Sequence, residues 1–229
     1  MVNIEFVLLG KSPLLCHNPR MVDPEYEVNR QIKLFTSKKK KTDDDLKQIE
    51  RLEWLGGIYT ASVNGNGIVV SQPCSKVRKC LINTGKINKL GKQVERALLM
   101  TKQDVALIYD GSDKVNNLDD EIARLMANPA FASRLSVGIR GKRVMRVRPQ
   151  FFPWALVVPA VFIPDAGLDF DELVKIVELA GQTERIGDNR VNGYGAFRGH
   201  VRKTRDSDAT IGNSIADVRE FFEQMEQQA

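Results

Sequence analysis

The chain has 229 residues, 42% of them hydrophobic, with 34 Lys and Arg against 29 Asp and Glu for a formal net charge of +5. That balance predicts a core-forming globular chain and excludes a disordered or fibrous one. Three cysteines without C-x-x-C spacing and two distant histidines leave little material for a disulfide framework, a zinc site or a triad enzyme.

Val2 to Leu9 alternates and is rich in branched residues, which predicts a first strand ending at Gly10. The prolines in "KSPLLCHNPRMVDPEYE" predict irregular chain, and the basic run Lys33 to Lys41 reads as a flexible arm. A helix is expected after Thr42, an N-cap with Asp45 at capping-box spacing, with Leu46, Ile49, Leu52 and Leu55 as its apolar stripe and Gly56-Gly57 as its stop. "GIYTASVNGNGIVVSQP" predicts two short strands around an Asn-Gly turn. Pro73 opens a helix with Cys74, Val77 and Leu81 behind and Lys76, Lys79, Asn83 and Lys86 in front.

Asp104 to Tyr109 reads as a strand, 118–127 as a short helix, and Ser133 to Arg148 as two strands around Arg140-Gly141-Lys142. "PQFFPWALVVPAVFIP" predicts one long apolar strand. Asp169 caps a helix whose buried stripe is Phe170, Leu173, Val174, Val177 and Ala180, ending at Gly181. A glycine-rich loop follows, then a strand from Gly193 to about Lys203 and an acidic helix from Ile215 to Gln227. With an insertion at about 19–70 set aside, the order is strand, helix, strand, strand, helix, strand. The expected class is α+β: a ferredoxin-like or RRM-like antiparallel sheet with helices on one face and the other face free. The core would span 1–205, with 206–229 a C-terminal helix packing on it or extending from it.

Bases cluster at 33–41, 76–96, 140–148 and 185–205, and acids at 43–53, 104–121 and 165–184, a segregation that suits a polyanion. In the last strand Tyr194, Arg198, His200 and Arg202 share one face while Phe197 and Val201 share the other. An aromatic beside arginines on an open sheet face holds single-stranded RNA by stacking and phosphate neutralisation. Lys142, Arg146 and Arg148 likewise share a strand face, and three such cations need counter-ions, either phosphates or an acidic segment of the chain itself. Gly187, Gly193 and Gly195 match neither common nucleotide-binding loop, because they precede a strand and lack the required spacing.

The pattern "IGDNRVNGYGAF", between the last core helix and strand, resembles the C-terminal glycine-rich motif of the RAMP superfamily, the RRM-like RNA-binding proteins of CRISPR effector complexes. "IVVSQPCSKVRKCL" is similar to the strand-turn-helix that backbone-type members place against guide RNA. The order of "SPLLCHNPRMVDP", "LEWLGGIY", "RPQFFPW" and the glycine motif resembles stand-alone members encoded by phages. The resemblance implies sequence-tolerant RNA binding, often as a head-to-tail filament. It implies roles for Gly187, Arg190, Gly193, Tyr194 and Gly195 in the loop, and for Ser75, Lys76, Arg78 and Lys79 at the helix start. Some relatives cut RNA with a histidine, and His17 holds that position here; Asp23 would need partner carboxylates to hold Mg²⁺.

The expectation is therefore a non-catalytic, cofactor-free protein that coats single-stranded RNA, with Lys38, Lys39, Lys40 and Lys41 clamping the backbone. The alternatives are a single-stranded DNA-binding protein, a metal-independent ribonuclease using His17, and an interaction protein whose basic patches meet an acidic partner, its own C-terminal helix included. No apolar run reaches about 18 residues and no leader-like stretch opens the chain, so a cytoplasmic location is expected, the host cell's if phage-encoded.

Overall fold

The structure, a computed structural model, describes residues 1–63, 67–115, 117–139, 141–205 and 211–227, with backbone only at Ile139 and Lys142. Strand β1 (Val2–Gly10) alternates as its sequence dictates, burying Ile4, Phe6 and Leu8 on one face and turning Glu5, Val7 and Leu9 to the other. A two-residue strand, β2 (Leu14–Leu15), follows, and then α1 (Glu27–Thr36), which the sequence reading missed. Helix α2 (Asp43–Gly57) starts on the expected capping box: Asp45 N–H donates to Thr42 Oγ1 at 3.2 Å and Thr42 N–H to Asp45 Oδ2 at 3.0 Å.

Two expectations fail here. Lys33 lies within α1, and the rest of the basic run is a short connection to α2, fastened by Lys38 Nζ on Asp45 Oδ1 at 2.6 Å and by Lys41 Nζ on the Lys38 carbonyl at 3.0 Å. It is not a free arm. The predicted stripe of α2 is also displaced, since Leu46 is 47% exposed while Leu52, Glu53, Trp54, Gly56 and Gly57 are buried. Helix α2 packs against α1, which buries no residue of its own, and its last turns press on the core, where Trp54 Nε1 donates to the Phe131 carbonyl at 2.8 Å.

Strands β3 (Thr60–Ser62) and β4 (Ile68–Pro73) form the expected hairpin, with Thr60 opposite Val70; the Asn64-Gly65 turn lies outside the described residues. Helix α3 (Cys74–Ile87) buries Cys74, Val77, Cys80, Leu81 and Thr84. After it come two unpredicted elements, α4 (Gly91–Ala97) and β5 (Leu98–Met100). The expected strand Asp104 to Tyr109 breaks at Leu107 into β6 (Asp104–Ala106), which joins β4, and β7 (Ile108–Tyr109), which joins β10. Helix α5 (Leu118–Ala127) and the hairpin β8 (Ala132–Ile139) and β9 (Lys142–Phe151) follow. The apolar stretch after Arg148 divides at Phe152-Pro153, so that Pro149 to Phe151 complete β9 and β10 (Trp154–Phe162) starts afresh. The last elements are α6 (Phe170–Thr183), β11 (Phe197–Lys203) and α7 (Ile215–Gln227).

The central sheet is antiparallel in the order β11-β1-β10-β5, with β7 also on β10; β2-β9-β8 and β3-β4-β6 are smaller sheets. One face, carrying Phe6, Leu8, Leu156, Val158, Phe197 and Val201, packs with α3 and α6 in the main core. The opposite face is not free as expected. Val7, Ala155 and Ile108 cluster there with Val218 and Phe222 of α7, which therefore packs on the core. The reason lies in the central strands, whose alternate residues Val7, Leu9, Ala155 and Val157 make that face apolar too, and an apolar sheet face requires a cover. Among the described residues no helix is long and apolar enough to cross a membrane.

Candidate nucleic-acid interface

Strand β11 presents Arg198, His200 and Arg202 together, as the two-residue period requires, but α7 occupies the face they share. Arg198 Nη1 holds Glu226 Oε1 at 2.6 Å and its guanidinium lies 4.6 Å from the Phe222 ring centre. His200 stands 5.6 Å from the Phe221 ring, while Arg202 grips Glu5 at 2.8 and 3.1 Å and lies 5.7 Å from Phe221. Tyr194 does not join them. It sits half-buried in the turn before the strand, because positive φ at Gly193 (93°) and Gly195 (70°) prevents extended chain before Phe197.

The glycine loop is welded to its own protein. Asp188 N–H donates to the Leu15 carbonyl at 2.9 Å, Gly195 N–H to Pro13 at 2.8 Å, and Ile186 N–H to Gly195 at 3.0 Å. Ser12 Oγ bridges the Gly193 carbonyl at 2.7 Å and the Ala196 N–H at 2.9 Å. A Cβ on Gly187 would stand 2.7 Å from the Leu15 carbonyl oxygen, and one on Gly195 would overlap the Ile186 carbonyl. The close backbone approach that these glycines allow is therefore an approach to the chain itself; only at Gly193 does a Cβ point into open space. Arg190 donates to the Glu184 carbonyl at 2.9 Å, and Asn83 of α3 reaches the Glu184 carboxylate at 3.3 Å, tying loop to helix.

Two of the β9 cations have internal counter-ions. Arg146 pairs with buried Glu53, which also accepts the Val147 N–H at 3.0 Å, and Arg148 pairs with Asp188 of the glycine loop. The Lys142 side chain lies outside the described residues.

What remains is built around the segment 16–20. A cleft of about 580 Å³ is lined by Arg20, Tyr59, Ser75, Arg78 and Lys102 among others, at the start of α3. A second, of about 470 Å³, is lined by His17, Met21, Ile32, Arg146 and Arg148. Tyr59 joins the two walls, its hydroxyl donating to the His17 carbonyl at 2.5 Å and its ring lying 4.0 Å beneath the Lys76 ammonium. Arg78 donates to the carbonyls of Glu95 at 2.7 Å and Leu98 at 3.3 Å, so it fixes α4 and β5 as well as lining the cleft. Ser75, Lys79, Lys39 and Lys40 are exposed. Arg20, Tyr59 and Lys102 escaped the sequence reading: Arg20 and Lys102 have no cation beside them in sequence, and Tyr59 reads as core. Asp23 forms a local turn, its Oδ1 accepting the Glu25 N–H at 2.9 Å.

Burial lowers the pKa of His17, and the neighbouring Arg148, Lys76 and Arg146 charges lower it further. Burial also lowers that of His200, with Arg198 and Arg202 acting the same way against an opposing contribution from Glu178. Burial lowers Lys76 in turn. A histidine whose folded pKa lies below its ordinary 6.5 binds its proton more readily in the unfolded chain. Stability is thus expected to be at its level above that value and to fall as acidification takes the medium from 6.5 down through the folded pKa values. Urea titrations across this range check it: each of His17→Gln and His200→Gln should flatten the slope.

No protein-family model matches the chain, and no curated protein matches it.

Proposed function

We propose that the protein is a non-catalytic, sequence-tolerant single-stranded RNA-binding protein of RRM-like, RAMP-type fold that holds phosphates in the clefts around residues 16–20. The central strands support the fold reading: β1, β5, β10 and β11 in chain order take the spatial order fourth, first, third, second, with α3 and α6 behind them, as in ferredoxin-like units. The α1–α2 pair and the β3–β4 hairpin are then the insertion. The observation that carries the function is convergence: the start of α3, strand β9, the glycine loop and the segment 16–20 come from four distant parts of the chain. Arg20 and Arg78 line one cleft, Arg146 and Arg148, each with its carboxylate partner, line the other, and Lys76 stands over the Tyr59 ring that joins the two.

Fluorescence anisotropy on a labelled unstructured RNA tests this reading. Binding should weaken with rising salt, and dissociation weaker than about 1 mM at low salt would sink it. Ser75→Glu puts a carboxylate in the cleft at a helix N-terminus, where it favours the helix but repels phosphate. It should reduce affinity about tenfold while leaving the melting temperature unchanged. Competition by a matched DNA oligomer separates RNA from DNA preference. Neutral His17 among cations favours a second reading as a ribonuclease, and RNA cleavage lost in His17→Ala would establish it in place of the first.

A further inference from the structure

We infer that α7 is a displaceable internal ligand, and that the β11 face beneath it is a second single-stranded RNA surface which α7 keeps masked. The inference rests on the nucleic-acid reading above but concerns a different face. The masked face carries what a stacked, phosphate-linked chain requires: cations at alternate positions of one strand, with a histidine between them. The helix meets each of these groups with an imitation of that chain. Phe222 lies under the Arg198 guanidinium, Phe221 against His200 and Arg202, and the Glu226 carboxylate takes the place of a phosphate on Arg198. Rings stand for bases and the carboxylate for the backbone anion.

The attachment is slight where it needs to yield. Val218 and Phe222 are the buried residues of α7, with Ile215 and Phe221 partly buried beside them, and the Arg198–Glu226 pair at its last turns is open to solvent on both sides. Clefts of about 480 and 430 Å³ lie along Asn213, in the segment leading to the helix, so that approach is loosely packed as well. Polyanion and helix compete for Arg198, whose carboxylate partner Glu226 lies on α7, while Arg202 keeps Glu5 of β1 whichever of them holds the face.

Glu226→Arg tests this without touching the apolar cover, because Glu226 is an exposed side chain whose replacement sets two cations against each other. Glu223→Arg, on an exposed position three residues earlier that no ion pair joins to Arg198 among the described residues, makes the same change in net charge and serves as the control. Anisotropy with a labelled 20-nucleotide oligouridylate should show Glu226→Arg binding about tenfold more tightly than Glu223→Arg. The charge swap Arg198→Glu with Glu226→Arg should restore the cover and abolish the gain. Amide exchange of residues 215–227 should accelerate in Glu226→Arg and, with RNA added, in the wild type.

The outcomes separate the two readings. Equal affinity of Glu226→Arg and Glu223→Arg, with wild-type binding still sensitive to Ser75→Glu, overturns the inference and keeps the first reading. RNA binding by Glu226→Arg alone, the wild type and Ser75→Glu being silent, supports the inference and overturns the first. Absence of binding by every variant overturns both.

Discussion

Gly195→Ala is expected to destabilise the protein by about 3 kcal/mol or more, the largest effect of any single methyl group added to the glycine loop. Two costs combine. The residue holds φ at 70°, where an L side chain is strained by roughly 1–2 kcal/mol. In addition, the new Cβ would occupy the space of the Ile186 carbonyl, the residue whose N–H bonds the Gly195 carbonyl, so relief requires breaking the bond that closes the loop. Gly193→Ala provides the comparison: φ is 93° but nothing lies within 4 Å, and the strain alone should cost about 1–2 kcal/mol. Urea denaturation of both variants measures the difference. Equal midpoints would mean that the loop shifts freely and is not welded to residues 12–15.

Glu53→Ala is expected to cost about 3 kcal/mol, through the charge and the donor it leaves behind. Glu53 is only 7% exposed and serves two partners, the Arg146 guanidinium and the Val147 N–H. Deleting it leaves a partly desolvated cation and an unpaired backbone donor in β9. Glu53→Gln keeps an acceptor for the Val147 N–H and should cost roughly half as much. Replacing both members of the pair, Glu53→Leu with Arg146→Met, should recover most of the loss, since the uncompensated charge is removed along with its partner. A double-mutant cycle by thermal denaturation reads these values directly.

The elements that local chemistry specifies were legible: the capping box at Thr42, the helix start at Asp169, α5, the alternation of β1, and the shared face of Arg198, His200 and Arg202 in β11. What escaped was set by neighbours far away in sequence. Leu98–Met100 is three residues long and counts as a strand only because it meets β10. Leu107 breaks an apolar run because β4 and β10 each claim one end of it. At the candidate site, the face shared by Arg198, His200 and Arg202 was legible, while the place of Tyr194 outside it and the partners of the cations were not. A row of arginines looks the same in sequence whether phosphate or carboxylate will neutralise it. Glu53, Asp188, Glu5 and Glu226 are the carboxylates that pair with Arg146, Arg148, Arg202 and Arg198, and only Asp188 is even near the loop that was suspected. Internal counter-ions are one of the two outcomes that cations along a strand face allow, and they are met by Glu53 and Asp188 at β9 and by Glu5 and, from α7, Glu226 at β11.

The pairing of β1 also sets an order of events during synthesis. Its residues find strand partners only in β10 and β11, as Leu9 does in Ala155 and Arg198, so β1 waits for chain made about 150 to 200 residues after it. One edge of this apolar strand stays open until β10 has been made and the other until the chain beyond residue 200 has, a situation that slows folding and invites association. The sheet is a clasp closed by β10 and then β11, and a chain stopped before β11 would carry the unprotected edge of β1 beside a core lacking Phe197 and Val201.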